Sequence, residues 1–430
     1  MRMLLSFYGS RGDVQPGLCL GLELLRRGHD VEMALPPNYV DVAEAMGLRA
    51  HPVGLDSESY WESDRARRIL STGNPVTKFR LAQAQVREGF ARFDADLAAL
   101  VRDLADTTAL DGLISGPLGQ DRVADLAEYL DVEMATVRLC AMSENGAICA
   151  VPTRHRLPPV VNRASWRLVD TLTWTFSRSS QNRFRASLGL PAASQSMPER
   201  LRRSNTLQIQ AYDAALFPGL AAEWDDRKPV VGFFDLPAGR RPAGDTPSGD
   251  DGLDGWLNGG APPVLIAFGS APVGDPEAVH RAVAEATRRE GVRALVGVGG
   301  RPVGVDPDNP HLFVAGRLDH PTVLPRLAAA VHHGGAGTTA ATLRAGLPTM
   351  VCAAGADQAH WGAQITRLGV GTATRLSGLD ADTLAAGLRV LADPATVGRA
   401  RALRTQLTAP NVAVNEAAKR IESAFTRIAV

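Results

Sequence analysis

The chain has 430 residues, with 46 basic side chains against 46 acidic ones and 45% apolar content. That is enough for two α/β domains with separate cores, and it excludes a disordered chain or a nucleic-acid-binding surface. Four scattered cysteines with no C-x-x-C pair, a start too short for a secretory h-region and no apolar run of 18 residues imply a reduced, cytoplasmic protein that does not span a membrane; lying on one stays open.

The opening reads as a strand (Met3 to Tyr8), a glycine-bearing loop (Gly9 to Asp13), a helix (Gln15 to Arg27) and a second strand (Val31 to Leu35), one βαβ unit of a parallel sheet. From Tyr60 to Asp106 the apolar residues recur at helical spacing with one break at Gly73-Asn74-Pro75, the kind of excursion that builds a pocket wall. Strands are predicted at Leu110 to Gly116 and Val132 to Leu139, around a helix at Val123 to Leu130. Between Phe234 and Pro263 the composition turns to Pro, Gly and Asp, which marks a linker.

After it the βα rhythm restarts: Val264 to Phe268 followed by Gly269-Ser270, then Ala294 to Val298, Leu312 to Val314, Leu327 to Val331, Thr349 to Ala353 and Gly371 to Arg375. The expected division is an N-terminal domain over 1–217, a linker region over 218–262 and a C-terminal domain over 263–410. A terminal helix within 411–430, with Val414, Ala418, Ile421 and Phe425 on one face, is expected to pack back toward the first domain. Both halves open with an apolar strand and a Gly-Ser step, a similarity of pattern that suggests similar folds facing each other.

Three constellations carry chemistry. His332-His333-Gly334-Gly335-Ala336-Gly337-Thr338-Thr339 lies between the strand ending at Val331 and a helix predicted over Ala340 to Ala345. Backbone N–H groups and the positive end of a helix dipole point outward at such a turn, so imidazoles and hydroxyls beside them could cradle a diphosphate. The block lacks the Gly-Lys-Ser/Thr of a Walker A loop, and neither half has G-x-G-x-x-G after its first strand, which disfavours hydride transfer. Asp13, in Gly9-Ser10-Arg11-Gly12-Asp13-Val14-Gln15-Pro16, reads either as a helix cap before a first-turn proline or as a general base at a sheet edge. Asp357-Gln358, after the strand ending at Ala353, could hold sugar hydroxyls or could simply start a helix.

Together these blocks resemble the inverting family 1 glycosyltransferases of GT-B fold, above all the actinobacterial natural-product enzymes and the sterol-type glucosyltransferases. The likeness spans essentially the whole chain and is strongest from Pro263 to Arg375. It implies an α/β protein of two facing Rossmann-like domains with parallel sheets and a cleft between them. It also implies a nucleotide-sugar donor as substrate, an apolar small-molecule acceptor against the N-terminal domain, and no cofactor or metal.

By resemblance, Asp13 takes the proton of an acceptor hydroxyl as that oxygen attacks the anomeric carbon. An ordinary Asp, near pKa 4, is a weak base toward an alcohol, so proton transfer would come late. The diphosphate falls to His333, Gly335, Thr338, Thr339 and Ser270, with Ser10 and Arg11 reaching across. Asp357 and Gln358 match the donor-sugar positions, and Arg317 and Leu318 those that face the nucleobase. Many relatives place Trp where Arg317 stands.

Many also carry a Glu for the ribose hydroxyls three residues after the position of Thr338, where this chain has Ala341. Its absence favours a deoxyribose donor such as a dTDP-sugar over a UDP-sugar, since a charged hydrogen bond contributes about 1.5–3 kcal/mol. Two other readings remain beside this one: a sterol or membrane-lipid glucosyltransferase, which shares the Gly-Ser-Arg-Gly-Asp-Val-Gln-Pro opening, and a non-catalytic protein that binds nucleotide sugars.

Overall fold

A computed structural model describes residues 1–57, 75–153, 155–237, 252–269, 275–297, 303–316 and 318–426, with side chains of the helix that starts at Pro75 described from Glu88 onward. Its first sheet has six parallel strands, β1 (Arg2–Ser6), β2 (Asp30–Leu35), β3 (Arg49–Pro52), β4 (Gly112–Ser115), β5 (Glu133–Arg138) and β6 (Leu207–Gln210), in the order β3-β2-β1-β4-β5-β6. The second holds β7 (Val264–Ala267), β8 (Ala294–Gly297), β9 (Gly304–Val305), β10 (Leu312–Val314), β11 (Ala329–His332), β12 (Thr349–Ala353) and β13 (Gly371–Arg375), in the order β13-β12-β11-β7-β8-β10-β9. All its pairs are parallel except β9 with β10. Apart from that added edge strand, both sheets have the doubly wound order of a nucleotide-binding fold. The chain therefore reverses direction beside β1 in one sheet and beside β7 in the other, and a crevice opens at each reversal.

The inner strands are buried on both faces, so they read as near-continuous apolar runs, whereas the edge strands β3, β9 and β13 are partly exposed. Successive residues still alternate: Met3 and Leu5 join a core with helix α1 (Arg11–Arg26), whereas Leu4 joins Phe93, Leu97 and Val101 of helix α2 (Pro75–Thr107) on the other face. The second sheet repeats this, with Val264 and Ile266 on one side and Leu265 on the other. The remaining helices used below are α3 (Gln120–Leu130), α4 (Pro159–Ser187), α5 (Ala336–Arg344), α6 (Ala356–Leu368) and α7 (Pro410–Thr426). Helix α7 lays Val414, Ala418, Ile421 and Phe425 into the core beneath α1, where Arg27 meets Glu422 at 2.8 Å.

A further apolar cluster joins the two lobes. Trp361 of α6, fully buried, packs against Tyr212, Phe217 and Phe233 of the N-terminal half at ring-centroid distances of 6.3, 5.4 and 5.5 Å. Its neighbour His360 stacks on Trp166 of α4 at 5.8 Å with 21° between the ring planes. The sequence reading assigned no element to α4, β6 or these contacts.

Two of the helices that start earlier than predicted bear on the site. Helix α1 begins at Arg11 and contains Pro16 as its sixth residue, not in its first turn. The missing N–H of Pro16 leaves the Gly12 carbonyl without its i+4 partner, and the helix tolerates this near its end. Helix α5 begins at Ala336, so Thr338 and Thr339 belong to its first turn and do not lie in a loop before it.

Candidate functional site

Ser10, not Asp13, is the N-cap of α1, and Asp13 is the third helical residue. From there its carboxylate bends back, and Oδ2 accepts from the Ser10 amide and the Ser10 hydroxyl, each at 2.9 Å. This is the reach of an N3 acid toward the cap backbone, so Asp13 does serve the helix terminus. Gly9 makes room for it: its φ is +125°, and a Cβ there would lie 2.5 Å from Asp13 Oδ2. Burial pushes the Asp13 carboxyl up to about 6 against the two Ser10 hydrogen bonds, and the charge of Asp357 in the opposite lobe adds to the rise.

Asp357 is the second residue of α6, at the C-terminal end of β12. Its field also raises the thiol of Cys140, which follows β5, although burial is the larger cause there. Asp357, after β12, is thus within electrostatic reach of Asp13, after β1, and of Cys140, after β5. The Asp357 carboxyl is itself raised by the protein packed around it. Gln358 spends its side-chain carbonyl on the helix start, where Oε1 accepts from the amides of Ala354 at 2.7 Å and Gly355 at 3.0 Å. The helix-start reading therefore holds for its oxygen, and only the Nε2 donors remain for a ligand.

The two histidines of the glycine turn part ways. His332 ends β11 fully buried, its Nδ1 accepts from the Gly334 amide at 2.9 Å, and burial holds it neutral, well below the usual histidine range. Its job is to shape the turn, a correction to the expectation of two imidazoles beside the ligand. The ring of His333 fits between two glycines: a Cβ on Gly335 would lie 2.5 Å from its Nε2, and one on Gly269, after β7, 3.1 Å from its Cε1. Its Nδ1 has no hydrogen-bond partner among the described residues, and burial pulls its pKa down to about 4, with a contribution from His320.

Gly335 is the N-cap of α5, so the amides of the following turn point out beside His333. Thr338, third in that helix, is half-buried. Thr339 does not reach a ligand: it is fully buried, and its hydroxyl donates to the Gly335 carbonyl at 2.9 Å. Once the helix starts at Ala336, Thr339 falls on its inner face and bonds back one turn.

Ser10 lies at the cleft edge with its hydroxyl on Asp13. Arg11 donates to Gln15 Oε1 at 3.3 Å, and Gln15 in turn donates to Asp235 at 3.3 Å, so this guanidinium is aligned along α1 toward the linker. Leu318 packs half-buried beside the cluster of Leu253, Phe313 and Leu324. Ser270 and Arg317 lie outside the described residues. Missed from the sequence were His360 and Trp361, one helical turn after Asp357; an aromatic residue at i+4 from a cleft-facing carboxylate was the available signal.

Comparison with known proteins agrees with this layout. Residues 3–110 match the glycosyltransferase family 28 N-terminal domain, and residues 303–423 match the C-terminal domain of erythromycin biosynthesis protein CIII-like proteins. An uncharacterized glycosyltransferase of Mycobacterium tuberculosis is 36% identical, covering 99% of this chain and 100% of its own. The O-mycaminosyltylonolide 6-deoxyallosyltransferase of Streptomyces fradiae is 30% identical, with 99% and 98% covered.

Among solved structures, the glycotransferase of kitacinnamycin superposes with a TM-score of 0.70 at 17% identity over 99% of both chains. The Streptomyces sp. SF2575 glycosyltransferase SsfS6, complexed with thymidine diphosphate, superposes at 0.59 and 19% identity over 98% of this chain and 99% of its own. The same doubly wound sheet twice over, the facing carboxylates at the strand ends and full-length similarity at 36% and 30% identity place the chain in the family 1 glycosyltransferases of GT-B fold, natural-product type.

Proposed function

We propose that the protein transfers a sugar from a nucleoside-diphosphate donor to a hydroxyl of an apolar small molecule, with inversion and without metal. The observation that carries this reading is that Asp357, after β12 in one lobe, lies within electrostatic reach of Asp13, after β1 in the other. The diphosphate sits on the first turn of α5, where the Gly335 turn amides, the Thr338 hydroxyl and His333 meet it; the family resemblance adds Ser270 to this set. His333 is neutral when the site is empty, and a dianion beside its unpartnered Nδ1 draws a proton onto the ring.

Asp13 acts as the base. Oδ2 is held by Ser10, so Oδ1 accepts the proton of the acceptor hydroxyl as the oxygen attacks the anomeric carbon. With its pKa lifted to about 6, the carboxylate is ionised at neutral pH and is a stronger base than an ordinary Asp. The nucleoside diphosphate leaves from the opposite face of the sugar, stabilised by the α5 amides and His333. Asp357 and the Gln358 amide hold sugar hydroxyls at the edge of the same space.

A deoxyribose donor is favoured by Ala341, which lies half-buried on α5 against the core of the second sheet and offers no acceptor to a ribose. The thymidine diphosphate bound to the similar SsfS6 points the same way. The deciding experiment offers dTDP-sugars and UDP-sugars with a panel of hydroxylated apolar aglycones and reads products by mass and by anomeric configuration. Transfer by the wild type with an inverted product and none by Asp13→Asn is expected; undiminished transfer by that variant overturns the role of Asp13.

A further inference from the structure

Helix α4 turns Asn162, Trp166, Gln181 and Phe184 inward. Its opposite face carries Val161, Leu168, Leu172 and Phe176, which are 46%, 60%, 49% and 77% exposed. At 3.6 residues per turn these four fall within a narrow arc and form a stripe roughly 22 Å long. The stripe continues N-terminally into Val160, and Val151 and Leu157 on the preceding segment are also exposed. A soluble protein rarely leaves so many large apolar side chains together in water.

The charges around the stripe have one sign. Residues 151–190 contain seven arginines and a single acidic residue, Asp170, in a chain whose net charge is zero. Asp170 faces the body of the lobe, where it is within electrostatic reach of Arg138 and Lys228. Arg163 and Arg167 are paired with Glu223 and Glu144, whereas no ion pair to Arg156, Arg178 or Arg183 is found among the described residues.

From this combination we infer that the outer face of α4 docks on an anionic lipid surface. Its apolar stripe enters the boundary between headgroups and acyl chains, and the flanking arginines meet lipid phosphates. A second copy of the chain fits less well, because a two-fold contact through the stripe would set its arginines against themselves. The inner side of the same helix holds Trp166 on His360, so docking would seat the cleft close to the bilayer. The inference concerns a surface and not the reaction, and it stands whether or not the transfer reading holds.

The test is co-sedimentation of the full chain with phosphatidylcholine vesicles, with and without phosphatidylglycerol. Binding to the anionic vesicles and little to the neutral ones is expected, and the double variant Leu172→Ser/Phe176→Ser should lower the partition coefficient roughly tenfold or more. A second variant, Arg178→Gln/Arg183→Gln, should reduce the preference for anionic vesicles while keeping the stripe intact. Failure of the wild type to pellet, or unchanged partition of both variants, overturns the inference. So does analytical ultracentrifugation showing a stripe-dependent dimer in place of vesicle binding. Binding of dTDP by the same samples reports separately on the transfer reading.

Discussion

Asp235 and Arg344 form an ion pair at 2.7 Å that ties the segment leaving the N-terminal lobe to the last turn of α5, the helix whose first turn is the proposed diphosphate cradle. The Asp235 carboxylate also accepts from Gln15 of α1, so one acid touches the helix that carries Asp13 and the helix that carries the glycine turn. Both side chains are mostly buried, at 16% exposure for Asp235 and 20% for Arg344, which makes a lost partner costly. Arg344→Met should therefore lower stability by about 1–3 kcal/mol and weaken nucleotide binding, measured by denaturant melts and calorimetry with dTDP. An unchanged melt would mean that the pair does not hold the lobes.

Asp13 should trade stability for activity. Its folded pKa, about 6, lies above the 3.8 of a free Asp, so the folded state binds a proton more tightly than the unfolded one. Ionisation thus disfavours the fold: the cost is absent below pH 4, grows as pH rises through 4 to 6 and stays constant above. With partial solvent access allowed for, Asp13→Asn should raise stability at pH 7 by about 1–2 kcal/mol. The same variant should abolish transfer. Wild-type turnover should fall about tenfold per pH unit below 6 and level off above it.

His333 should take up a proton on binding a nucleoside diphosphate. With a pKa near 4 in the free protein it is neutral at pH 7, and a dianion next to it lifts that value. Calorimetry with dTDP in buffers of different ionisation enthalpy should show an apparent enthalpy that varies with the buffer in wild type and not in His333→Ala. The variant should also bind dTDP about tenfold or more weakly, since a hydrogen bond to a charged group contributes about 1.5–3 kcal/mol. Equal affinity would remove His333 from the cradle.

Trp361 offers a test of the lobe interface. Its ring is fully buried among Tyr212, Phe217 and Phe233, and its indole nitrogen has no hydrogen-bond partner among the described residues. Trp361→Ala should cost about 3–5 kcal/mol through the cavity it leaves. Trp361→Phe should cost much less, because it removes an unsatisfied N–H while keeping an aromatic ring in place. A Phe variant as unstable as the Ala variant would show that the indole nitrogen matters.

Much of the frame was legible from residue order. Leu312–Val314 and Thr349–Ala353 stand where the apolar runs predicted strands, because strands buried on both faces leave an unbroken hydrophobic signature; Gly371–Arg375 also stands where predicted, although as an edge strand it is partly exposed. The starts of α1 and α5 were read four residues late. Ser10, Gly335 and Gly337 look like loop residues, and Pro16 looks like a first-turn residue, so local propensity misplaced helix starts that are fixed by how the turns pack. That shift turned Thr339 inward and made Ser10 the cap.

Order along the chain settled which groups end each strand: a carboxylate after the first, histidines and glycines after the eleventh, and an acid-amide pair after the twelfth. It could do so because a parallel sheet presents every strand's C-terminal end on one edge, whatever the packing above it. Which of those groups remain free for a ligand was decided only in three dimensions. Burial commits His332 and Thr339 to backbone partners, and the start of α6 takes up the Gln358 oxygen. The electrostatic reach of Asp357 to Asp13 spans two lobes that also meet through Trp361, whose ring partners are more than a hundred positions away in sequence. Desolvation and opposing charge depend on what surrounds a side chain in space, and no pattern along the chain encodes that.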